Sequence, residues 1–136
     1  MPQTAHQTHA FSSEDQAGFR RDGYVIARGL APPDLMQRLL EVAERDLAGR
    51  TPPLEYEADL HYPGAPASRE QAGGGTVRRL LRAQSRDWAF TEWLTHPPLL
   101  ARVRQLLGPE IIVPLAHHNC IMTKQPHYSS DTGWHQ

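Results

Sequence analysis

Residues 121–136 read Ile121-Met122-Thr123-Lys124-Gln125-Pro126, then His127-Tyr128-Ser129-Ser130-Asp131, then Thr132-Gly133-Trp134-His135-Gln136. An apolar stretch closes on a lysine, a polar loop follows, and an aromatic residue with a histidine opens the next extended segment. Residues two apart on a strand project from one face. A His-x-Asp pair on a strand therefore aims an imidazole and a carboxylate at one point. A second histidine from a distant strand completes a two-His-one-carboxylate face, which leaves half of an octahedral Fe(II) open. His135 and Gln136 supply the histidine and the spacer of such a pair, and the aspartate is expected at the next position. Taken alone, His135 beside Trp134 reads as a packed or surface residue at least as readily as a ligand; it is the candidate metal ligand of this stretch, with Trp134 as the core anchor that orients it.

Before this stretch, residues 111–124 read as one long strand or two strands bent at Pro114. Alternation puts His118, Cys120, Met122 and Lys124 on one face. His117 and His118 point to opposite faces, which argues against both reaching one metal. Cys120 on an apolar strand reads as a small buried hydrophobe rather than a nucleophile. Helical spacing of Leu99, Leu100, Val103, Leu106 and Leu107 predicts a helix after Pro97-Pro98, capped by Thr95 and stopped by Gly108-Pro109. Ser85 is expected to cap a helix carrying Trp88, Phe90 and Trp93. Residues 76–84 read as a strand bearing Arg78, Arg79 and Arg82. With Arg86 these form a basic run that reads as an exposed face, or as a site for a phosphate or carboxylate.

Residues 51–75 lose periodicity. They read as a long loop with one short strand at 54–60, in which Tyr56, His61 and Tyr62 either line a substrate pocket or sit on an ordinary surface. Gly73-Gly74-Gly75-Thr76 lacks the Lys-Ser/Thr ending of a phosphate loop and reads as a flexible hinge. Pro32-Pro33, Asp34 and the recurrence of Leu35, Leu39, Val42 and Ala43 predict the clearest helix, ended by Gly49. Tyr24-Val25-Ile26-Ala27-Arg28 reads as a short strand. Ser12 or Ser13 caps a first helix that Gly23 stops. Residues 1–10 read as a flexible tail, and 11–136 as part of one domain.

Composition narrows the function classes. The chain has 136 residues, 39% hydrophobic and 21% charged, with a net charge of −1. That balance gives no reason to expect nucleic acid or an anionic membrane as partner. A single cysteine excludes an internal disulfide and fits a cytoplasmic setting. The first residues lack the apolar core of a secretory signal. No apolar run approaches the ~20 residues of a membrane helix.

Three pieces in order resemble the phytanoyl-CoA dioxygenase family. Phe19-Arg20-Arg21-Asp22-Gly23-Tyr24-Val25-Ile26 is similar to its Phe-x-x-Asp-Gly-Tyr opening, with Leu30 and Ala31 leading into a helix. Leu99 to Gly108 is similar to its helix ending in Leu-Leu-Gly. The lysine-ended strand followed by Trp-His-Gln is similar to its approach to His-Gln-Asp. The resemblance spans about residues 11–136. It implies an α+β fold in which N-terminal helices pack on part of a double-stranded β-helix, a jelly-roll or cupin-like barrel. It implies Fe(II), 2-oxoglutarate and O₂ as cofactors and cosubstrates, and hydroxylation of a small organic molecule as the activity. Carried over, His135 is the first iron ligand. Lys124 lies near the cosubstrate, as a cation suited to a carboxylate. His118 contacts 2-oxoglutarate or substrate. The carboxylate ligand, the distal histidine and the arginine that clamps 2-oxoglutarate are expected beyond residue 136. The chain as given is therefore expected to be an inactive N-terminal portion, with an apolar sheet edge open to oligomerisation.

Two other readings stand beside this one. A zinc hydrolase needs three convergent ligands and an open position, and no His-x-x-x-His pair falls on an expected helix. A non-enzymatic remnant, or a jelly-roll binding module without a metal site, uses the same strands without the chemistry.

Overall fold

The computed structural model describes residues 10–116 and 119–125. The first helix, α1 (Ser13–Asp22), is set by its cap. The Ser12 hydroxyl accepts from the Asp15 N–H at 3.0 Å, and the Asp15 carboxylate accepts from the Ser12 N–H at 3.0 Å. These reciprocal bonds satisfy two donors that a helix start leaves unmade. Gly23 ends the helix at φ 82°, its N–H donating to the Phe19 carbonyl. Left-handed φ costs little only where there is no Cβ.

Residues 24–28 do not form the expected strand. Tyr24 and Ile26 stand largely exposed instead. A β-rich composition becomes a strand only when a partner ladder accepts it, and no described segment pairs with this one. Helix α2 (Pro33–Ala48) starts on Pro33, as the fixed proline φ favours. Leu35, Val42 and Asp46 lie on one face of it and are buried.

A three-stranded antiparallel sheet follows in the order β1 (Leu54–Tyr56), β2 (Val77–Leu81), β3 (Cys120–Met122). Leu54, Leu80 and Ile121 stand opposite one another across it, as do Glu55, Arg79 and Met122. Leu80 is fully buried, and with Leu35, Val42, Ala83 and Ala89 it makes the core. Helix α3 (Trp88–Leu94) is capped by Asp87, whose carboxylate accepts from the Ala89 N–H at 2.9 Å. The expected cap, Ser85, belongs to the preceding 3-10 turn. Thr95 closes α3 by donating its hydroxyl to the Thr91 carbonyl, rather than opening α4 (Pro97–Leu107). Helix α2 packs on α3 and β2, and α3 on α4.

The architecture among the described residues is α+β with an open sheet, not a barrel. Closure requires further strands paired edge to edge, whereas β1 and β3 each have one neighbour here. Residues 111–115, expected in a long strand, make no ladder, and Ile112 is 93% exposed. No helix of the described residues is long and apolar enough to cross a membrane.

Candidate functional site

The two sheet faces differ in character. On β2, Arg78 and Leu80 project to the buried side and Arg79 and Leu81 to the other, as alternation requires. Residues directly opposite share a face, so Glu55, Arg79 and Met122 form one cross-strand row. The Thr123 N–H donates to the Arg78 carbonyl at 3.0 Å and carries the ladder one step past β3. Lys124 is thereby placed on the same face as Met122 and Arg79, and it is exposed. The expected pairing of Cys120, Met122 and Lys124 on one face agrees with this register. His118 and His135 lie outside the described residues.

Within the row, Arg79 Nη1 and Glu55 Oε1 are 3.2 Å apart. Their alignment is poor, however, since Glu55 Oε1 and Arg79 Nε are both enclosed without a hydrogen-bond partner among the described residues. Buried polar atoms are nearly always bonded in native proteins. Among the described residues this face therefore holds donor and acceptor capacity that no partner takes up.

The basic run is neither an exposed face nor a free anion site. Arg78 Nη1 lies 3.2 Å from Glu57 Oε2 with both side chains nearly inaccessible. The Tyr62 hydroxyl donates to the same carboxylate, and the Arg78 guanidinium stands over the Tyr62 ring. Arg86 is buried against Asp46. Only Arg82, in the left-handed region at φ 54°, faces solvent. Tyr56 lies beneath Arg69, 4.2 Å from its guanidinium carbon, and Arg69 grips Asp59 with two bonds of 2.9 Å. Tyr56 and Tyr62 thus brace the 57–69 region. The Glu57 and Asp46 partners went unrecognised in the sequence because each lies far along the chain from its arginine.

A cleft of about 480 Å³ opens between the end of α2, the 73–76 loop and Gln125. The glycines of that loop do not behave as a hinge. A Cβ on Gly74 would stand 1.9 Å from the Ser68 carbonyl oxygen, so the two backbones are packed together. Hydrogen bonds from the Gln71, Gly74 and Thr76 N–H groups to Ser68, Gln71 and Gly73 fix the turn, and the Ala58 N–H donates to Gly74.

No group of three His, Cys, Asp or Glu among the described residues could hold a metal ion. These residues by themselves do not make an iron site. What they make is a helix-backed α+β sheet whose more open face carries the Glu55–Arg79–Met122 row, with Lys124 further along the same strand face. The family model for phytanoyl-CoA dioxygenase (PhyH) matches residues 19–136, and the chain belongs to that family. Searches of curated proteins and of solved structures gave no match.

Proposed function

We propose that this chain contributes the helical support, the outer strands and the first iron ligand of an Fe(II)- and 2-oxoglutarate-dependent dioxygenase that hydroxylates a small organic molecule. The family match over residues 19–136 is the observation that carries this reading. His135 is the ligand, and the bound iron supplies activation of O₂ coupled to decarboxylation of the cosubstrate. Lys124 offers a cation to a carboxylate of 2-oxoglutarate, and His118 contacts that cosubstrate or the substrate. Arg79, on the face that Lys124 shares, has an enclosed Nε without a partner among the described residues and adds a second donor. The protein works in the cytoplasm on a soluble substrate.

One imidazole does not hold Fe(II) against water, and His135 is the single ligand assigned within residues 1–136, so weak iron binding is expected of them. Calorimetric titration with Fe(II) under argon tests this: weak heats without a defined stoichiometry are expected, and submicromolar one-to-one binding overturns it. Reading the codons after 136 tests the wider assignment. Asp next, then a later His and Arg in the same frame, is expected; a stop codon overturns it. Among the described residues β3 has a neighbour on one side only, and Met122, Leu115 and Ile112 are exposed nearby in sequence, which supports self-association through that edge. A cooperative monomer in size-exclusion chromatography counts against it.

A further inference from the structure

The cleft beside the 73–76 loop has a mixed lining, polar and apolar in about equal measure. Its described lining is Leu47, Arg50, Gly73, Gly75, Thr76, Val77 and Gln125. Its volume, about 480 Å³, falls among those of small-molecule sites. The wall is preformed, because the Gly74 backbone is packed on Ser68 and cannot move outward without losing that contact. Preformed walls lower the ordering cost of binding.

Arg50 is the one charged residue of the described lining. It sits at φ 48°, in the left-handed region, immediately after Gly49, which does not. A glycine or asparagine holds such a position with less strain. Arginines 45, 78, 79 and 86 all face a carboxylate. Arg50 has no ion-pair partner among the described residues, and its backbone N–H donates to the Leu47 carbonyl. A strained cation on a fixed cleft, without a counter-ion among the described residues, is a feature that stability alone does not favour. Leu47 and Val77 supply apolar wall, and Thr76 and Gln125 supply a hydroxyl and an amide.

We propose that this cleft binds a small aliphatic carboxylate, with Arg50 on the carboxylate and Leu47 and Val77 on the alkyl chain. The proposal rests on this described lining and not on the iron chemistry. Lys124 does not line it, although its neighbour Gln125 does.

The test is titration of the protein with hexanoate, followed by ¹⁵N NMR shifts, with hexanol as the uncharged control. Saturable hexanoate shifts at residues 47–50 and 73–77, absent with hexanol, are expected. Arg50→Gly should weaken hexanoate by about tenfold or more, the loss of one charge-assisted contact. The same variant should unfold at or above the parent temperature, since glycine relieves the left-handed strain. Arg50→Lys should keep part of the affinity, and Lys124→Ala all of it. Undiminished hexanoate binding by Arg50→Gly, equal binding of hexanol, or loss of binding in Lys124→Ala overturns the proposal. The last result would move the carboxylate to the cosubstrate face. Absence of any saturable shift at 50 mM overturns it too.

Discussion

Arg86 and Asp46 hold each other out of water. Their Nη1 and Oδ2 atoms are 2.9 Å apart, and each side chain is 4% exposed. The same guanidinium donates to the carbonyls of Leu81, Thr51 and Pro53. One side chain therefore joins α2, the segment leading into β1 and the end of β2. Leaving a buried charge unpaired costs several kcal/mol, because nothing replaces the lost water. The pair is thus a lock between helix and sheet.

Asp46→Ala should destabilise by about 3–5 kcal/mol, the usual cost of stranding one member of a buried pair. Arg86→Met should cost at least as much, since it removes a donor from the Leu81, Thr51 and Pro53 carbonyls as well as from the Asp46 carboxylate, and leaves Pro53 only the Leu81 N–H and Asp46 only Arg45. The double variant Asp46→Leu/Arg86→Met should recover only part of the loss. Urea denaturation monitored by circular dichroism checks all three. Full recovery in the double variant would show that the carbonyl bonds contribute nothing.

Glu57 makes the parallel case at the other end of β2. Its carboxylate accepts from Arg78 and from the Tyr62 hydroxyl, with Glu57 2% exposed. Tyr62→Phe should cost about 1–2 kcal/mol, one hydrogen bond to a charged group. Glu57→Gln should cost more, because Arg78 then lacks a counter-charge in the interior. The ordering of the two midpoints in urea is the measurement, and equal midpoints would contradict it.

These pairs also mark where local reading of the chain stops. Helix α2 was legible because Pro33, the apolar spacing and Gly49 all act within one segment. The lysine-ended strand was legible for the same reason in part: among the described residues its strand is Cys120–Met122, extended one step by the Thr123 N–H. Arg78 and Arg86 read as surface because their acids lie 21 and 40 residues away, and folding alone brings them together. Residues 24–28 and 111–115 carry strand-forming side chains but find no described partner, so propensity there had no ladder to act on. The glycine run looked like a hinge because sequence does not show that Ser68 packs against Gly74. His118 and His135 lie outside the described residues, and the proposal of an iron site rests on the family relationship.

Gly74→Ala should be among the most damaging single-methyl changes in the chain. The new Cβ would lie 1.9 Å from a backbone oxygen, with a backbone carbon at 2.9 Å. Neither can swing aside as a side-chain tip would. Overpacking of this kind costs roughly 1–3 kcal/mol, occasionally more, and the upper end is expected here. Gly64→Ala, where the Cβ meets nothing within 4 Å, bears only the backbone penalty of its φ of 84° and should lose less. Thermal melts of the two variants give the comparison.

Acid should unfold the protein through its paired aspartates, and the two main contributors should respond differently to salt. At Asp46, burial pushes the carboxyl up, but hydrogen bonds from Arg86 and Arg45 outweigh it and hold the group below its ordinary value. At Asp59, the Arg69 hydrogen bond leads and burial opposes, again leaving the carboxyl depressed. A carboxyl depressed in the folded state contributes stability that is present above its unfolded value, about 3.9. That contribution is lost as pH falls through the lower folded value, because the unfolded chain then takes up the proton first. Melting temperature should therefore hold steady from neutral pH to about 5 and fall below about 4. Asp59 and Arg69 are 30% and 54% exposed, so salt screens them, whereas the enclosed Asp46 pair is shielded from ions. In 0.5 M NaCl the acid-dependent loss should persist in Asp59→Asn and be much reduced in Asp46→Asn. A loss that survives Asp46→Asn undiminished at high salt would place the acid sensitivity elsewhere.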